Sequence, residues 1–225
     1  MEYDGGGFAG WASQPGQRTV QGEVERALAV LLGAPVSVVV AGRTDAGVHA
    51  LGQVCSYEGE PVEARALNGL LPSDVAVLSC SSVGAGFDAR RDATSRAYSY
   101  RVLARRARPA LDAGRVLHWR GDVDLATLSS CASALVGVHD FTAFTPTETE
   151  HVRFSREVLA AYWRREGDVF SFWIEADAFM RHMNRVLVGT MLEVVAGRRT
   201  VSDFVRLLSG RPRDEAGPTA PAHGL

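Results

Sequence analysis

The sequence has 225 residues, 46% of them hydrophobic, and its 24 basic and 26 acidic residues give a formal net charge of −2. This length and apolar content predict an ordinary globular protein with a substantial core, and the near-neutral charge excludes a chain coated in basic residues. The longest apolar runs are too short to cross a bilayer and no basic, then apolar leader precedes them, so we expect a cytoplasmic protein that does not cross a membrane.

The first part of the chain predicts helices and strands around polar loops. Apolar residues at helical spacing, with Thr19 as N-cap and Gly33 as the stop, predict an amphipathic helix over 19–32. The other predicted elements are a turn over 2–7, strands over 36–41 and 53–57, a helix over 61–70 and an extended segment over 75–82. The polar, glycine-containing loop around Asp45 is therefore expected between two strands.

The second part predicts further elements of both kinds. Alternation over 95–103 predicts a strand that carries Tyr98 and Tyr100 on one face. The remaining elements are a helix over 125–136 capped by Asp124 and ended by Gly137, a strand pair over 157–164 and 169–176, a helix over 181–195 and an irregular segment over 211–225. Mixed helix and strand units of this kind predict two α+β halves.

Basic residues are concentrated in one stretch. Residues 87–120 contain nine arginines against three aspartates, a local net charge of +6, whereas residues 1–86 contain four arginines against nine acidic residues, a net of −5. This asymmetry suits a protein with one surface that faces phosphates, although a solvated arginine-rich face accounts for the charge as well.

Metal and cofactor sites are not indicated. The three cysteines, Cys55, Cys80 and Cys131, are widely separated and form no Cys-x-x-Cys pair, which argues against a disulfide framework or a structural zinc site. The sequence also has no phosphate-binding glycine loop of the P-loop or dinucleotide type.

Asp45 is the first candidate for chemistry. It follows Arg43 by two residues on a loop flanked by glycines, an arrangement in which a local ion pair can keep a carboxylate charged. Loop carboxylates also commonly cap helices or accept backbone amides. The loop chemistry alone leaves a catalytic and a structural role open.

The string Ala-Gly-Arg-Thr-Asp-Ala-Gly-Val-His-Ala over 41–50 closely resembles the signature of the tRNA pseudouridine synthase A family. Further matches follow in order at 3–5, 10–11, 19–21, 52–54, 71–77, 87–90, 98–100, 139–144 and 178–185. The resemblance implies the α+β pseudouridine synthase fold, with two related halves, a mostly antiparallel central sheet flanked by helices, and a cleft between the halves. We expect a catalytic half over 1–103 and a second half over 104–225 that carries the arginine motif.

The resemblance also implies an activity, the isomerisation of uridine to pseudouridine at positions 38, 39 and 40 in the anticodon arm of tRNA. Asp45 is then the nucleophile, which attacks either ribose C1′ or base C6. Tyr98 matches the tyrosine that stacks on the flipped base, a role that a flat aromatic side chain suits. Without the resemblance, Tyr98 is more simply a core aromatic residue of a strand.

Four arginines and a histidine complete the implied site. Arg185 matches the basic residue that pairs with the nucleophilic aspartate, and Arg181, four residues earlier on the same predicted helix face, is the next candidate. Arg43 would help to hold the nucleotide open and Arg90 would contact the RNA backbone, since a guanidinium forms forked hydrogen bonds with phosphate. His49 is expected to line the site without acting as an acid or base.

The resemblance implies tRNA as the partner, a homodimer, and no metal or small-molecule cofactor. The family has a strand before the Tyr3 turn and another after Leu225, and neither is present here, so we expect exposed sheet edges. An inactive, truncated tRNA-binding relic of the family is therefore the main alternative. A hydrolase or phosphotransferase that uses Asp45 as a covalent carboxylate and needs Mg²⁺ is the third possibility.

Overall fold

The computed structural model describes residues 1–148 and 152–225. The chain forms two compact units, Met1–Thr94 and Ser95–Leu225. The sequence-based division at 103/104 lies nine residues further along the chain. The strand Arg96–Ala104 falls in the second unit because it pairs antiparallel with Val169–Ala176 along almost its whole length.

The first unit combines two helices with short strands. Its elements are β1 (Glu2–Tyr3), α1 (Val20–Leu32), β2 (Val39–Val40), β3 (Cys55–Ser56), α2 (Ala64–Leu70) and β4 (Val75–Ala76). β1 pairs antiparallel with β4, and β2 pairs antiparallel with β3. The predicted strands are present but much shorter than expected, because only two residues of each join the hydrogen-bond ladder before the chain turns into a loop.

The capping residues of α1 are those that the sequence predicts. Thr19 is the N-cap and its side chain accepts the Gly22 N–H at 3.3 Å, while Gly33 ends the helix in the left-handed conformation. The buried face of α1 contributes Val24 and Leu28 to the core of this unit, where the rings of Tyr3 and Trp11 are also buried.

The second unit is built on one sheet. Its elements are β5 (Arg96–Ala104), β6 (Leu117–Trp119), α3 (Leu125–Ser133), β7 (Gly137–Asp140), β8 (Ser155–Glu166), β9 (Val169–Ala176), α4 (Met183–Val195) and α5 (Val201–Arg206). In the described residues the strand order is β6-β5-β9-β8-β7, and only the β5–β6 pair is parallel. The mostly antiparallel sheet flanked by helices is confirmed, and so is the predicted β8–β9 hairpin.

The core of the second unit lies between this sheet and its helices. Alternate residues of β5 and β9, among them Tyr100, Val102 and Phe172, are buried on one face. Helix α4 is buried along nearly its whole length, and its buried residues include the polar side chains of Asn184 and Thr190.

Several details of the second unit differ from the prediction. Helix α3 ends at Ser133 instead of 136, since the chain turns and Gly137, with a φ of 107°, begins β7. The short elements β6, β7 and α5 were not predicted. The segment 211–225 is irregular as expected, with 3-10 turns at Arg213–Glu215 and Ala222–Gly224. Within the described ranges, no helix has the length and apolar character needed to cross a membrane.

Candidate active site

The segment 41–50, called here the Asp45 loop, connects β2 to β3. The Ala41 N–H donates to the Val54 carbonyl at 2.9 Å at the start of the loop, and two backbone hydrogen bonds of 2.9 and 3.1 Å join Tyr3 to Ala50 at its end. Within the loop the Val48 N–H donates to the Asp45 carbonyl at 3.2 Å, which closes a turn. The loop is thus held at both ends, with Asp45 half-buried in its middle.

A side-chain network attaches the Asp45 loop to β1. The Tyr3 hydroxyl lies 2.8 Å from Thr44 Oγ1 and accepts a hydrogen bond of 3.2 Å from Gln53 Nε2, which also donates to the Gly42 carbonyl at 2.8 Å. Because Tyr3 accepts from Gln53, its own proton is available to Thr44, the residue next to Asp45. Burial raises the pKa of Tyr3, so that the hydroxyl keeps this proton at neutral pH.

The segment after β1 also contacts the loop through its backbone. The Trp11 N–H donates to the Thr44 carbonyl at 3.0 Å. Gly10 has a φ of 99°, and a Cβ at this position would lie 2.9 Å from the Thr44 oxygen and 3.2 Å from the carbonyl carbon of Asp45. A side chain cannot be placed there unless the backbone of the Asp45 loop shifts.

His49 connects the loop to the turn after β1. Its Nδ1 accepts the Gly5 N–H at 3.1 Å and lies 3.1 Å from Asp4 Oδ1. A ring nitrogen accepts a hydrogen bond only when it carries no proton and donates one only when it does, so the Gly5 and Asp4 contacts require different placements of the ring proton. In either arrangement Nδ1 is directed at residues 4–5 and connects the Asp45 loop to the turn after β1.

The structure places the two predicted site arginines of the first unit, Arg43 and Arg90, on different segments. Arg43 lies in the Asp45 loop and its side chain is exposed. Arg90 is exposed on a turn in which Asp88 Oδ1 accepts the N–H groups of Arg90 and Arg91 at 2.8 and 2.9 Å. The Ala89 N–H donates to Ser56 Oγ at 3.1 Å and so attaches this turn to β3.

Tyr98 lies on β5 in the second unit, opposite Ile174 of β9. Its ring is half-buried and packs edge to face with Phe179, with 4.9 Å between the ring centroids and 82° between the planes. Tyr100, two residues along the same strand, is fully buried. Of the two tyrosines predicted on this face, only Tyr98 is partly exposed.

The arginine motif begins outside α4. His182 has a φ of 62°, a left-handed conformation that residues other than glycine rarely adopt, and α4 starts at Met183. The prediction that Arg181 and Arg185 share a helix face is therefore wrong. Arg181 is exposed before the helix, with its carbonyl accepting from Thr145 Oγ1 at 3.3 Å, while Arg185 is half-buried in the first turn of α4.

Metal-ligating side chains are scattered in the part of the chain that the structure describes, where no three His, Cys, Asp or Glu residues are grouped so that they could hold a metal ion. Cys131 is buried in the core of the second unit, and Cys55 and Cys80 are half-buried in the first.

Comparison with known proteins extends over the whole chain. A family model described as tRNA pseudouridine synthase matches residues 131–225. A protein named tRNA pseudouridine synthase A from Myxococcus xanthus is 42% identical over 233 residues, which cover all of this chain and 87% of the relative. Proteins of the same name from Halalkalibacterium halodurans and Caulobacter vibrioides are each 40% identical to this chain. Both alignments cover all of this chain, and they cover 88% and 94% of the two relatives, respectively.

The chain belongs to the tRNA pseudouridine synthase A family. The resemblance seen in the sequence is thereby confirmed. The region matched by the family model includes Arg181 and Arg185, and the alignments with the synthase A relatives run through the Asp45 loop as well. The roles of the individual site residues stay predictions.

Reasoning from sequence missed the residues that hold the Asp45 loop in place. Tyr3, Gly10 and Gln53 each stand in a segment that matches the family, yet their contacts join positions far apart in the chain. The sequence did carry one signal. A tyrosine, a glycine and a glutamine stand in segments that resemble the family, although the resemblance assigns them no role in the chemistry.

Proposed function

We propose that the protein isomerises uridine to pseudouridine in tRNA, with Asp45 as the nucleophile. The observation that carries this proposal is the support of the Asp45 loop by Tyr3, Gly10 and Gln53, in a chain of the tRNA pseudouridine synthase A family. A reacting carboxylate has to be held at a fixed place, because a displacement of about 1 Å can reduce turnover by about 100-fold.

The reaction breaks the bond between ribose C1′ and base N1 and forms a bond between C1′ and base C5. Asp45 attacks either C1′ or base C6 and is released again when the new bond is complete, so the enzyme is regenerated. In both routes the hydrogen at C5 leaves as a proton and N1 gains one. Loss of the C5 hydrogen is therefore a direct measure of the reaction.

Tyr98 is proposed to stack on the uracil ring while the base is out of the helix. Its half-buried ring, braced by Phe179 at 4.9 Å, offers a flat surface of fixed orientation for this contact. The position of the base is then held by stacking while the glycosidic bond is open.

The arginines are proposed to act on negative charge. Arg185 is proposed to bind the substrate, and Arg43 to hold the nucleotide open. Arg90 and Arg181 are exposed, as contact with the RNA backbone requires. His49 lines the Asp45 loop.

The proposed substrate site is the anticodon arm of tRNA, at positions 38, 39 and 40. A basic surface that binds phosphates suits such an RNA, which is recognised by its shape and an unstacked base. We further propose that the protein acts as a homodimer in the cytoplasm and without a cofactor.

The test is release of tritium from tRNA labelled at uridine C5. The unaltered protein is expected to release tritium, and Asp45→Asn to lower the rate by at least about 10³-fold while tRNA binding stays within a few-fold. Asp112→Asn, which changes a partly exposed carboxylate of the second unit, is the matched control and should keep normal turnover.

Two outcomes would overturn the proposal. Binding of tRNA by the unaltered protein without any tritium release would favour the inactive relic, and equal release by Asp45→Asn would remove Asp45 from the chemistry. Substrates with cytidine in place of uridine at positions 38, 39 and 40 test the target sites, since their modification elsewhere would contradict the anticodon-arm assignment.

A further inference from the structure

One face of the sheet in the second unit packs on the core, and the other face is exposed. On β8, Val158 and Trp163 point into the core, so Leu159 and Tyr162, their neighbours in the chain, lie on the opposite face. Leu159 is 49% exposed and Tyr162 is 45% exposed. The middle of β8 therefore presents apolar side chains to solvent.

The strands on either side of β8 extend this apolar patch. Trp173 of β9 lies opposite Tyr162, and the two rings are stacked, with 6.5 Å between their centroids and 15° between their planes. Val138 of β7 lies opposite Glu157 and is 65% exposed. Tyrosine and tryptophan are enriched at the centre of protein interfaces, and soluble monomers rarely expose large apolar patches. The patch is therefore a candidate interface.

Charged residues flank the patch along β8. Glu157 precedes the buried Val158 and Arg164 follows the buried Trp163, so both charged side chains lie on the exposed face. Both residues are exposed, and neither side chain has a hydrogen-bond or ion-pair partner in the described residues. The exposed face of β8 thus carries an acid, then apolar residues, then an arginine.

This order is self-complementary. The midpoint in the chain between Glu157 and Arg164 falls at 160–161, and so does the midpoint between Leu159 and Tyr162. When a second copy lies face to face with the first and its β8 runs antiparallel, a two-fold axis through this midpoint brings Glu157 opposite Arg164 of the partner subunit. The same axis brings Leu159 opposite Tyr162 of the partner subunit. Each contact forms twice because of the symmetry.

The size of the face suits a stable pair. β8 has 12 residues, which at about 3.4 Å per residue gives a length of about 40 Å. The adjacent strands β5, β9, β8 and β7, about 4.8 Å apart, give a width of up to about 19 Å. The resulting area of up to about 750 Å² is close to the roughly 800 Å² that each partner buries in a typical stable complex.

We propose that two copies of the chain bind each other through this face, with their β8 strands antiparallel across a two-fold axis. This inference rests on the homodimer of the proposed function and names the surface that forms it. Stacked sheets lie about 10 Å apart, a distance that the long side chains of Glu157 and Arg164 bridge from opposite sides. Tyr162 and Trp173 lie near the centre, where apolar contacts exclude water.

RNA fits the same face less well. Exposed aromatic rings on a sheet can stack on bases, but binding of the RNA backbone also needs positive charge. On this face Arg164 is offset by Glu157 and by Glu175 of β9, and Arg101 of β5 already pairs with Asp112 at 3.5 Å. Positive charge is therefore not in excess among the described residues of this face.

Charge reversal tests the arrangement. In sedimentation of the full chain, the unaltered protein should be a dimer of about twice 24.2 kDa. Glu157→Arg and Arg164→Glu should each raise the dissociation constant of the dimer by at least about tenfold at low salt, because each brings like charges together twice. The double variant Glu157→Arg/Arg164→Glu restores opposite charges at both contacts and should return to within about threefold of the unaltered protein.

Tyr162→Ser tests the apolar centre. It should raise the dissociation constant by at least about 30-fold, since the ring is lost from both copies. Leu111→Ser is the matched control, because Leu111 is fully exposed in the second unit between β5 and β6, and it should leave the dimer unchanged. All of these side chains are exposed, so the variants should fold and keep the circular dichroism spectrum of the unaltered protein.

Four results would overturn the inference. An unaltered protein that sediments as a monomer removes the dimer itself. A dimer that withstands Tyr162→Ser and both single reversals has its interface elsewhere, although the homodimer of the proposed function would stand. A double variant as weak as the single ones refutes the antiparallel arrangement. Loss of tRNA binding by Tyr162→Ser in a protein that is still dimeric would assign the face to RNA.

Sedimentation needs no tRNA and no turnover. The interface can therefore fail this test in a protein that releases tritium, and pass it in a protein that does not.

Discussion

Gly10→Ala is expected to impair catalysis by displacing the nucleophile. The new Cβ would lie 2.9, 3.1 and 3.2 Å from backbone atoms of Thr44, Ala46 and Asp45. Carbon atoms pack at about 3.5 to 4.0 Å, so the loop has to move by roughly 0.5 Å. Since a displacement of about 1 Å can reduce turnover by about 100-fold, half of that distance predicts a loss of about tenfold in kcat.

Gly16→Ala is the matched control for this change. Gly16 has a φ of 72°, comparable with the 99° of Gly10, but no heavy atom of the described residues lies within 4 Å of a Cβ placed there. Both variants therefore bear the strain of a left-handed alanine, about 1 to 2 kcal/mol, and only Gly10→Ala moves the loop. Tritium release and thermal unfolding are measured for both. If the two variants have the same kcat, the close approach of Gly10 does not position Asp45.

Tyr3→Phe keeps the buried ring but removes one hydrogen bond from Thr44 and one of the two made by Gln53 Nε2. It should therefore cost about 1 to 2 kcal/mol in thermal unfolding and lower kcat several-fold. A stability loss with unchanged kcat would show that Tyr3 does not act on the loop. The Arg18 guanidinium holds the pKa of Asp74 below its usual range, so Asp74→Asn should lower stability by no more than about 1 kcal/mol at neutral pH, since both side chains are partly exposed. This stabilisation is complete above the ordinary aspartate pKa of about 3.9 and is lost as the pH falls through the lower pKa of Asp74 in the folded protein. The melting temperatures of variant and parent should therefore converge in acid. A difference that persists there would contradict the ion pair. Arg108→Gln removes an exposed arginine that has no hydrogen-bond or ion-pair partner in the described residues. It should weaken tRNA binding and reduce by about one the slope of the logarithm of affinity against the logarithm of salt concentration. Arg91→Gln should weaken binding less, because the Arg91 guanidinium already pairs with the neighbouring aspartate at 2.9 Å, and equal losses in the two variants would refute this reasoning.

Local signals predicted the elements whose ends are set by neighbouring residues. The start of α1 at a threonine cap and its stop at Gly33 follow from groups that bond within one turn, and the alternation in β5 follows from the two-residue repeat of a strand. The Asp45 loop between two strands was predicted for the same reason.

Local signals do not predict contacts between residues that are far apart in the chain. The sequence predicted Arg181 on α4, but His182 adopts a left-handed conformation that local propensity opposes, and the helix starts after it. One partner of the Arg185 side chain is the backbone carbonyl of Ala220, a group that every residue possesses and that leaves no mark in the sequence. The units divide at 94/95 because β5 pairs with a strand more than sixty residues later, which no local pattern reveals.

The dependence of the Asp45 loop on β1 has a consequence for the order of folding. β1 pairs with β4, so Tyr3 reaches its final place only when residues up to Ala76 are available. During synthesis, the loop therefore emerges from the ribosome well before the strand that completes its support. Pairing across so long a stretch of chain is slow to form. We expect the loop to acquire its native hydrogen bonds in the last folding step of the first unit, so that a partly made chain carries Asp45 without the geometry needed to use it.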